Sequence, residues 1–228
     1  MYKELVILIQ NHGERDNPEV VERAVHAVQA YENDIDLDFL IKDTHDLLEE
    51  SREGLERIKK IVMDLKDFAH PGVDTMQEAD VNACLDSTLN VIWNEIKYKA
   101  VVKKHYGELP PITCYPQQLN QVFMNMIVNS VQAITNPMGE ITITTDQVPG
   151  GVRIKIRDNG CGIEKKNQSK IYDPFFTTKE VGKGTGLGMN VVYNIVRKHN
   201  GTISLWSEVG MGTEFTIVLP VRQKDKRS

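Results

Sequence analysis

Glycines stand at positions 182, 184, 186 and 188 in Lys179-Glu180-Val181-Gly182-Lys183-Gly184-Thr185-Gly186-Leu187-Gly188-Met189, which runs straight into the apolar stretch 190–196. Such a backbone carries few side chains. Glycine adopts dihedrals that other residues avoid and lets a ligand approach the main chain, so a run like this just before a helix reads as a cradle of N–H groups for phosphate. It is not a P-loop, because no Gly-Lys-Ser/Thr closes it. The spacing Gly184-Thr185-Gly186-Leu187-Gly188 also fits neither the dinucleotide fingerprint nor the protein-kinase loop. Taken alone the run reads equally as a flexible surface linker, and its neighbours must decide.

A chain of 228 residues, 40% hydrophobic and 26% charged, is long enough for one substantial core and a smaller appendage. The formal net charge of -5 and the absence of a basic stripe argue against nucleic acid as a partner. The longest wholly apolar run, Leu5-Val6-Ile7-Leu8-Ile9, is too short for a membrane span or a signal-peptide core. A soluble, cytoplasmic chain is the expectation, with any membrane attachment of a longer protein supplied by other segments. Cys84, Cys114 and Cys161 are odd in number, far apart and without metal-ligand spacing, as expected of reduced structural thiols.

In chain order, residues 2–10 and a helix opened by Asn17-Pro18-Glu19 and running to about residue 31 come first. Thr44 is placed to cap a longer helix over residues 44–69, about 39 Å at the usual rise, stopped by His70-Pro71-Gly72. Within it Leu48, Leu55, Val62 and Ala69 recur every seven residues, with Ser51, Ile58 and Leu65 three places after the first three. Leu47, Ile61 and Phe68 widen this seam into the stripe of a helix in a hairpin or four-helix bundle. A polar hinge over 71–80 marks the domain boundary. Asp80 then caps a helix over 80–99 that presents Val81, Leu85, Leu89, Ile92 and Ile96 on one face. A strand over 101–106 follows. A helix from Pro116 buries Leu119, Val122, Phe123, Met126, Ile127 and Ile134, and Asn136-Pro137-Met138-Gly139 ends it. Ile141 and Ile143, then Val152, Ile154 and Ile156, alternate with polar residues as in a sheet with one wet face. A helix over 189–198 and a final hairpin around Gly210-Met211-Gly212 complete an α+β sandwich.

Four further features accompany the glycine run. Asn125 and Asn129 are four apart and share a helix face, where an amide oxygen is a suitable hard ligand for magnesium. Asp158-Asn159-Gly160-Cys161-Gly162 sets a carboxylate at a strand end, able to accept from an exocyclic amine while the glycines admit a flat ring. Asp173-Pro174-Phe175-Phe176-Thr177-Thr178-Lys179 puts two aromatics beside two hydroxyls and a lysine. Last comes Gly210-x-Gly212-Thr213.

With Asn125-x-x-x-Asn129, Asp158-x-Gly160-x-Gly162, Asp173 to Lys179, Gly184-x-Gly186-x-Gly188 and Gly210-x-Gly212-Thr213 in that order, the sequence resembles the N, G1, F, G2 and G3 boxes of sensor histidine kinases. The likeness covers about residues 80–221. Asp64-Leu65-Lys66-Asp67-Phe68-Ala69 is similar to the end of the second helix of the family's dimerisation and phosphoacceptor hairpin, extending the likeness back to about Thr44. The resemblance implies a two-layer α/β sandwich of the Bergerat type, shared with DNA gyrase and the MutL repair proteins, preceded by a helical hairpin or bundle segment. Its implied divisions are a helical region over 1–72, a catalytic domain over 73–222 and a charged tail over 223–228. The cofactors implied are ATP and Mg2+. The implied ATP site comprises Asn125, Asn129, Gln132, Ala133, Asp158, Gly160, Gly162, Ile163, Thr178, Lys179, Lys183, Gly184, Thr185, Gly186, Leu187, Gly188 and Thr213. Asp158 would take the adenine amine, Asn129 would hold magnesium, and residues 163–183 would form a mobile lid carrying Lys179 and Lys183. Asn125 and Lys179 are the implied catalytic residues. Related ATPases place a water-activating glutamate at the position of Asn125, and an uncharged amide there favours phosphoryl transfer over hydrolysis.

The implied activity is transfer of the γ-phosphate of Mg-ATP to a histidine, in a homodimer formed through the helical region and partnered by a response-regulator receiver domain. None of the six histidines fits the acceptor pattern. His45-Asp46 has the acidic neighbour, but Glu49 and Glu50 stand where a polar residue and proline belong. His12, His26, His70, His105 and His199 fit less well. The acceptor is expected outside this chain, with the chain a fragment that begins after it; an acceptor on another chain and a loss of autophosphorylation are the alternatives. A nucleotide-gated module without transferase activity and a serine kinase of the anti-sigma type stay open as other readings.

Overall fold

Ile141, Ile143, Ile154, Ile156, Ile217 and Leu219 occupy alternate positions of three strands, and each is fully buried. Successive strand side chains point to opposite faces, so this period gathers them on one face of a sheet. The computed structural model describes residues 18–34, 36–69, 75–135, 138–179 and 184–222. The chain divides into two compact units, Met1–Lys60 and Ile61–Ser228. No helix among the described residues is long and apolar enough to cross a membrane.

Helix α1 (Pro18–Asp34) starts at the expected proline, with Glu19 acidic in its first turn. Helix α2 (Leu37–Ala69) begins at Leu37, not at Thr44. Asp36, one of the few residue types that tolerate the left-handed region, has φ 48 and turns the chain into the new helix, whose first turn carries Asp38. Leu48, Leu55 and Ile58 of the seam are 66%, 68% and 58% exposed. The expected helix over 2–10, the stop at His70-Pro71-Gly72, Asn136-Pro137 and the tail over 223–228 lie outside the described residues.

In the second unit, strand β1 (Gln77–Ala79) pairs antiparallel with β3 (Ile112–Cys114) in a short ribbon. Asp80 caps α3 (Val81–Val91), its carboxylate accepting from the N–H groups of Asn82 and Ala83. The single helix expected over 80–99 is two, because Ile92 leaves helical geometry (φ -98, ψ 11) before α4 (Trp93–Ile96). Two adjacent β-branched residues, Val91 and Ile92, are weak helix formers, and Ile92 and Ile96 stay buried across the break. Strand β2 (Ala100–Tyr106), helix α5 (Pro116–Ala133), β4 (Gly139–Val148), β5 (Gly151–Asp158), helix α6 (Lys165–Gln168), helix α7 (Gly188–Lys198), β6 (Thr202–Glu208) and β7 (Gly212–Pro220) follow.

The five-stranded sheet has the order β2-β4-β5-β7-β6. Only its β2–β4 pair is parallel. Helix α5 packs against both α3 and α7 and supplies Leu119, Val122, Phe123, Met126 and Ile127 to the core, all fully buried. Ile134 is buried too, just past the helix end. The other sheet face carries ion pairs, among them Arg153 to Asp146 at 2.6 Å and Lys155 to Glu214 at 3.4 Å. Cys84 and Cys114 are buried free thiols and Cys161 is an exposed one.

His199 ties two of the core helices together. It caps α7, is fully buried, and accepts the N–H of Tyr115, the N-cap of α5, at Nε2 (3.0 Å). Its Nδ1 therefore carries the proton and donates to the Ile195 carbonyl at 2.8 Å. Burial lowers its pKa below the ordinary 6.5, with the adjacent Lys198 acting in the same direction and the Ile195 carbonyl against it. The unfolded chain thus takes up the proton first as pH falls. This contribution is complete above the unfolded pKa and is lost as pH drops through the folded one. Urea denaturation at about pH 7.5 and about pH 5.5 should show the wild type losing more stability across the interval than His199→Gln. Equal losses would mean that this ring does not titrate with unfolding.

Candidate functional site

The strand register places Asp158 opposite Thr213, and Thr213 opposite Ser207, in one row across β5, β7 and β6. These positions continue the buried face of the sheet, so the row ends the hydrophobic core with polar groups. Asp158 and Thr213 are each 3% exposed. Asp158 Oδ1 accepts the N–H of Gly160 at 2.9 Å and that of Thr213 at 3.2 Å. Burial raises the Asp158 pKa, while the hydrogen bonds from Gly160, Ser130 and Thr213 oppose that rise. A fixed, buried carboxylate with lone pairs to spare is equipped to accept from a ligand N–H.

The loop after β5 lies against the end of α5, where Cys161 donates its N–H to the Ala133 carbonyl at 2.9 Å. Gly162 has φ +73, and a Cβ there would stand 2.1 Å from the Glu208 carbonyl oxygen. Only glycine fits that turn, which brings Ile163 beside β6. Ile163 donates its N–H to Ser207 Oγ at 2.8 Å. Gln168 Nε2 then donates to the carbonyls of both Ile163 and Ser207 at 2.9 Å. Farther on, Ile171 is buried and the Tyr172 carbonyl accepts from Asn190 Nδ2 of α7 at 2.8 Å. Of the lid expected over 163–183, the part up to Tyr172 is thus tied to β6 and α7. Lys183 lies outside the described residues, and Thr178 is exposed.

The glycine run meets the aromatic segment and α5. Gly186 has φ +68, and a Cβ there would lie 2.3 Å from the Phe175 carbonyl carbon. Gly184 sits against Thr177 and Lys179, and Gly188 against the Asn125 amide. Gly184, Thr185 and Gly186 are half-buried, and Leu187 is buried. Lys179 Nζ donates to Asn129 Oδ1 at 3.2 Å and also to Gln132 Oε1. Asn129 and Gln132 are three apart on α5, so one helix face turns two amide oxygens toward a positive charge. Hard oxygen donors that converge on an ammonium suit a magnesium ion as well. Among the described residues no group of three or more His, Cys, Asp or Glu gathers as a metal cluster. A metal here would therefore rest on amide oxygens and on the ligand's own phosphates.

Of the residues singled out in the sequence, the structure brings Asp158, Gly160 and Thr213 into one cluster. Asn129, Gln132 and Lys179 form a second, with Asn125 against Gly188. Ser130, Gln168, Asn190 and Ser207 were not anticipated. Ser207 was accessible by counting back from Gly210-Met211-Gly212 to the residue opposite Thr213. Gln168 and Asn190 carry no local signal, because each reaches a backbone carbonyl far along the chain, that of Ser207 and that of Tyr172.

Residues 114–223 match the family model of the histidine kinase-, DNA gyrase B-, and HSP90-like ATPases. The sensor histidine kinase ZraS of Escherichia coli (strain K12) is 33% identical over 181 residues, covering 78% of this chain and 38% of that protein. The signal transduction histidine-protein kinase AtoS of the same organism is 36% identical over 177 residues, covering 76% of this chain and 29% of that protein. The chain thus spans well under half the length of these curated relatives. The catalytic domain of histidine kinase ThkA, in a nucleotide-free form, superposes with a TM-score of 0.59 at 26% identity, over 65% of this chain and 97% of that one. Full-length ShkA in complex with AMPPNP gives a TM-score of 0.65 over 77% of this chain and 37% of that one, a likeness of fold at 22% identity. Residues 114–223 form an ATP-binding domain of the histidine kinase-, DNA gyrase B-, and HSP90-like ATPase family, of the kind found in sensor histidine kinases.

Proposed function

We propose that this chain is the catalytic region of a two-component histidine kinase, which binds Mg-ATP and transfers its γ-phosphoryl group to a histidine outside the chain. The observation that carries the reading is the pairing of a buried acceptor, Asp158, with a cation already gathered by Asn129 and Gln132 through Lys179. A base with an exocyclic amine fits the first, and a triphosphate with its counter-ion fits the second. Magnesium bound at Asn129 would screen charge on the phosphates. In this reading the Lys179 ammonium moves from the amide oxygens to the γ-phosphate as nucleotide enters, while the N–H groups from Gly184 to Gly188 line the triphosphate. Asn125, an amide without basicity, holds a position in the pocket and leaves the nucleophile to the acceptor imidazole. The bond from phosphorus to the bridging oxygen breaks, a P–N bond forms, and ADP departs.

The helical region up to about residue 72 serves in this reading as part of the dimerisation and phosphoacceptor region, and residues 73–222 as the catalytic domain. Its support is the exposed seam of α2, where Leu48, Leu55 and Ile58 stand open to solvent on one helix. A cytoplasmic location and a receiver domain as the next phosphoryl acceptor complete the proposal.

Mg-ATP should raise the melting temperature of the wild type, and Asp158→Asn should weaken its affinity by about tenfold or more, the scale of a hydrogen bond to a charged group. An unshifted wild type, or a folded Asp158→Asn that binds ATP equally well, would contradict the assignment. Light scattering should find a dimer that Leu55→Glu with Ile58→Glu converts to a monomer while ATP affinity is retained. A wild-type monomer, or a dimer untouched by the double substitution, would remove α2 from the interface.

A further inference from the structure

Strand β6 is one edge of the five-stranded sheet and β2 is the other. An exposed edge offers main-chain groups to any strand that fits, and proteins blunt such edges with charge, proline or a covering element. Strand β2 carries Lys103 and Lys104, whereas residues 202–207 of β6, Thr-Ile-Ser-Leu-Trp-Ser, hold no charge and no proline. The direction of the free groups follows from the ladder. Thr213 turns its N–H toward β5, to Asp158 Oδ1, so the pair Ser207–Thr213 is not hydrogen-bonded and the Ser207 main chain faces out of the sheet. Gln168 Nε2 donates to that outward carbonyl at 2.9 Å. Alternate residues share a direction, so Leu205 and Ile203 also face outward, and their outward groups meet no partner among the described residues.

The cover at Ser207 leaves the segment 202–206 open. We propose that this segment is a self-association edge, which pairs antiparallel with the same segment of a second copy about a two-fold axis at Ser204. Only outward residues exchange ladder bonds, and an axis at Leu205 would set Ile203 against the already occupied Ser207. With the axis at Ser204, Ile203 lies opposite Leu205 of the second copy, and each of the two equivalent pairs exchanges both of its N–H···O bonds. Ile203 and Leu205 pack at the margin of the core, so the pairing adds apolar cover to both. On the wet face Thr202 lies opposite Trp206, which is exposed and stacked against Arg157. Glu208, the one charge of the strand, falls beyond the paired segment, so no like charges meet across the axis. The edge thus fits its own copy, as a two-fold interface requires.

Oxidative crosslinking in a Cys161→Ser background, which removes the exposed free thiol, tests the register. Ser204→Cys sets two thiols opposite each other with Cα atoms about 4.5 Å apart, within disulfide reach, and should give a linked dimer as its main product. Thr202→Cys, on the same exposed face, stands about 14 Å from its own copy across the axis and should stay unlinked on non-reducing gels. A folded Ser204→Cys that remains unlinked overturns the proposal, and so does a Thr202→Cys that links to itself as readily. Circular dichroism reports folding of the variants. Sedimentation tests the edge without an added thiol. In the protein carrying Leu55→Glu and Ile58→Glu, so that α2 does not contribute, Ser204→Lys should weaken residual self-association at high concentration about threefold or more by opposing two lysines at the axis. No residual association, or one that Ser204→Lys leaves unchanged, overturns the proposal and leaves the nucleotide site untouched.

Discussion

The site hangs on a buried carboxylate held at the end of a strand. Asp158 is nearly inaccessible, and it stays usable because main-chain N–H groups from Gly160 and Thr213 occupy one of its oxygens. Without such partners the charged form would be costly to bury. Those partners exist only while β5 and β7 keep their register, since Thr213 must lie opposite Asp158. A one-residue slip of β5 against β7 would send Asp158 to the wet face and Ile154 and Ile156 with it. The hydrophobic core and the polar site are therefore held by the same pairing. The strand that buries Ile154 and Ile156 also aims Asp158.

Helix α5 serves the site in a similar double way. One face buries Leu119, Phe123 and Met126 against the sheet, and another turns Asn125, Asn129 and Gln132 toward the glycine run and Lys179. Its start is locked to the end of α7 by His199, and α7 begins at Gly188, beside Asn125. The two helices that meet at Asn125 and Gly188 are thus joined at the far end by a neutral imidazole with both nitrogens committed. The loop after β5 is tied at Ile163, Gln168 and Tyr172.

Much of this was legible in the sequence because the signals were local. Alternation at Ile141/Ile143 and Ile154/Ile156 reflects a sheet with one dry face, Asp80 and Pro18 mark helix starts, and the ordered glycine and asparagine motifs predicted the clusters. What escaped depends on partners far along the chain. The three-residue strands β1 and β3 are too short to carry a pattern and exist through each other. The break at Ile92 and the start of α2 at Leu37 depend on backbone turns that side-chain periodicity does not record. Ser207, Gln168 and Asn190 act on backbone carbonyls or N–H groups of other elements, so their residue types alone said nothing.

In the function proposed, the Asn129 face of α5 receives the metal and triphosphate of a nucleotide whose base lies at Asp158. Substituting paramagnetic Mn2+ for magnesium, with ADP, and recording side-chain amide spectra of the protein tests this directly, because broadening falls steeply with distance from the metal. The Asn129 and Gln132 side-chain signals should disappear at substoichiometric Mn2+ while amides of the wet sheet face persist. Unbroadened Asn129 and Gln132 signals, or broadening centred elsewhere on the molecule, would contradict it.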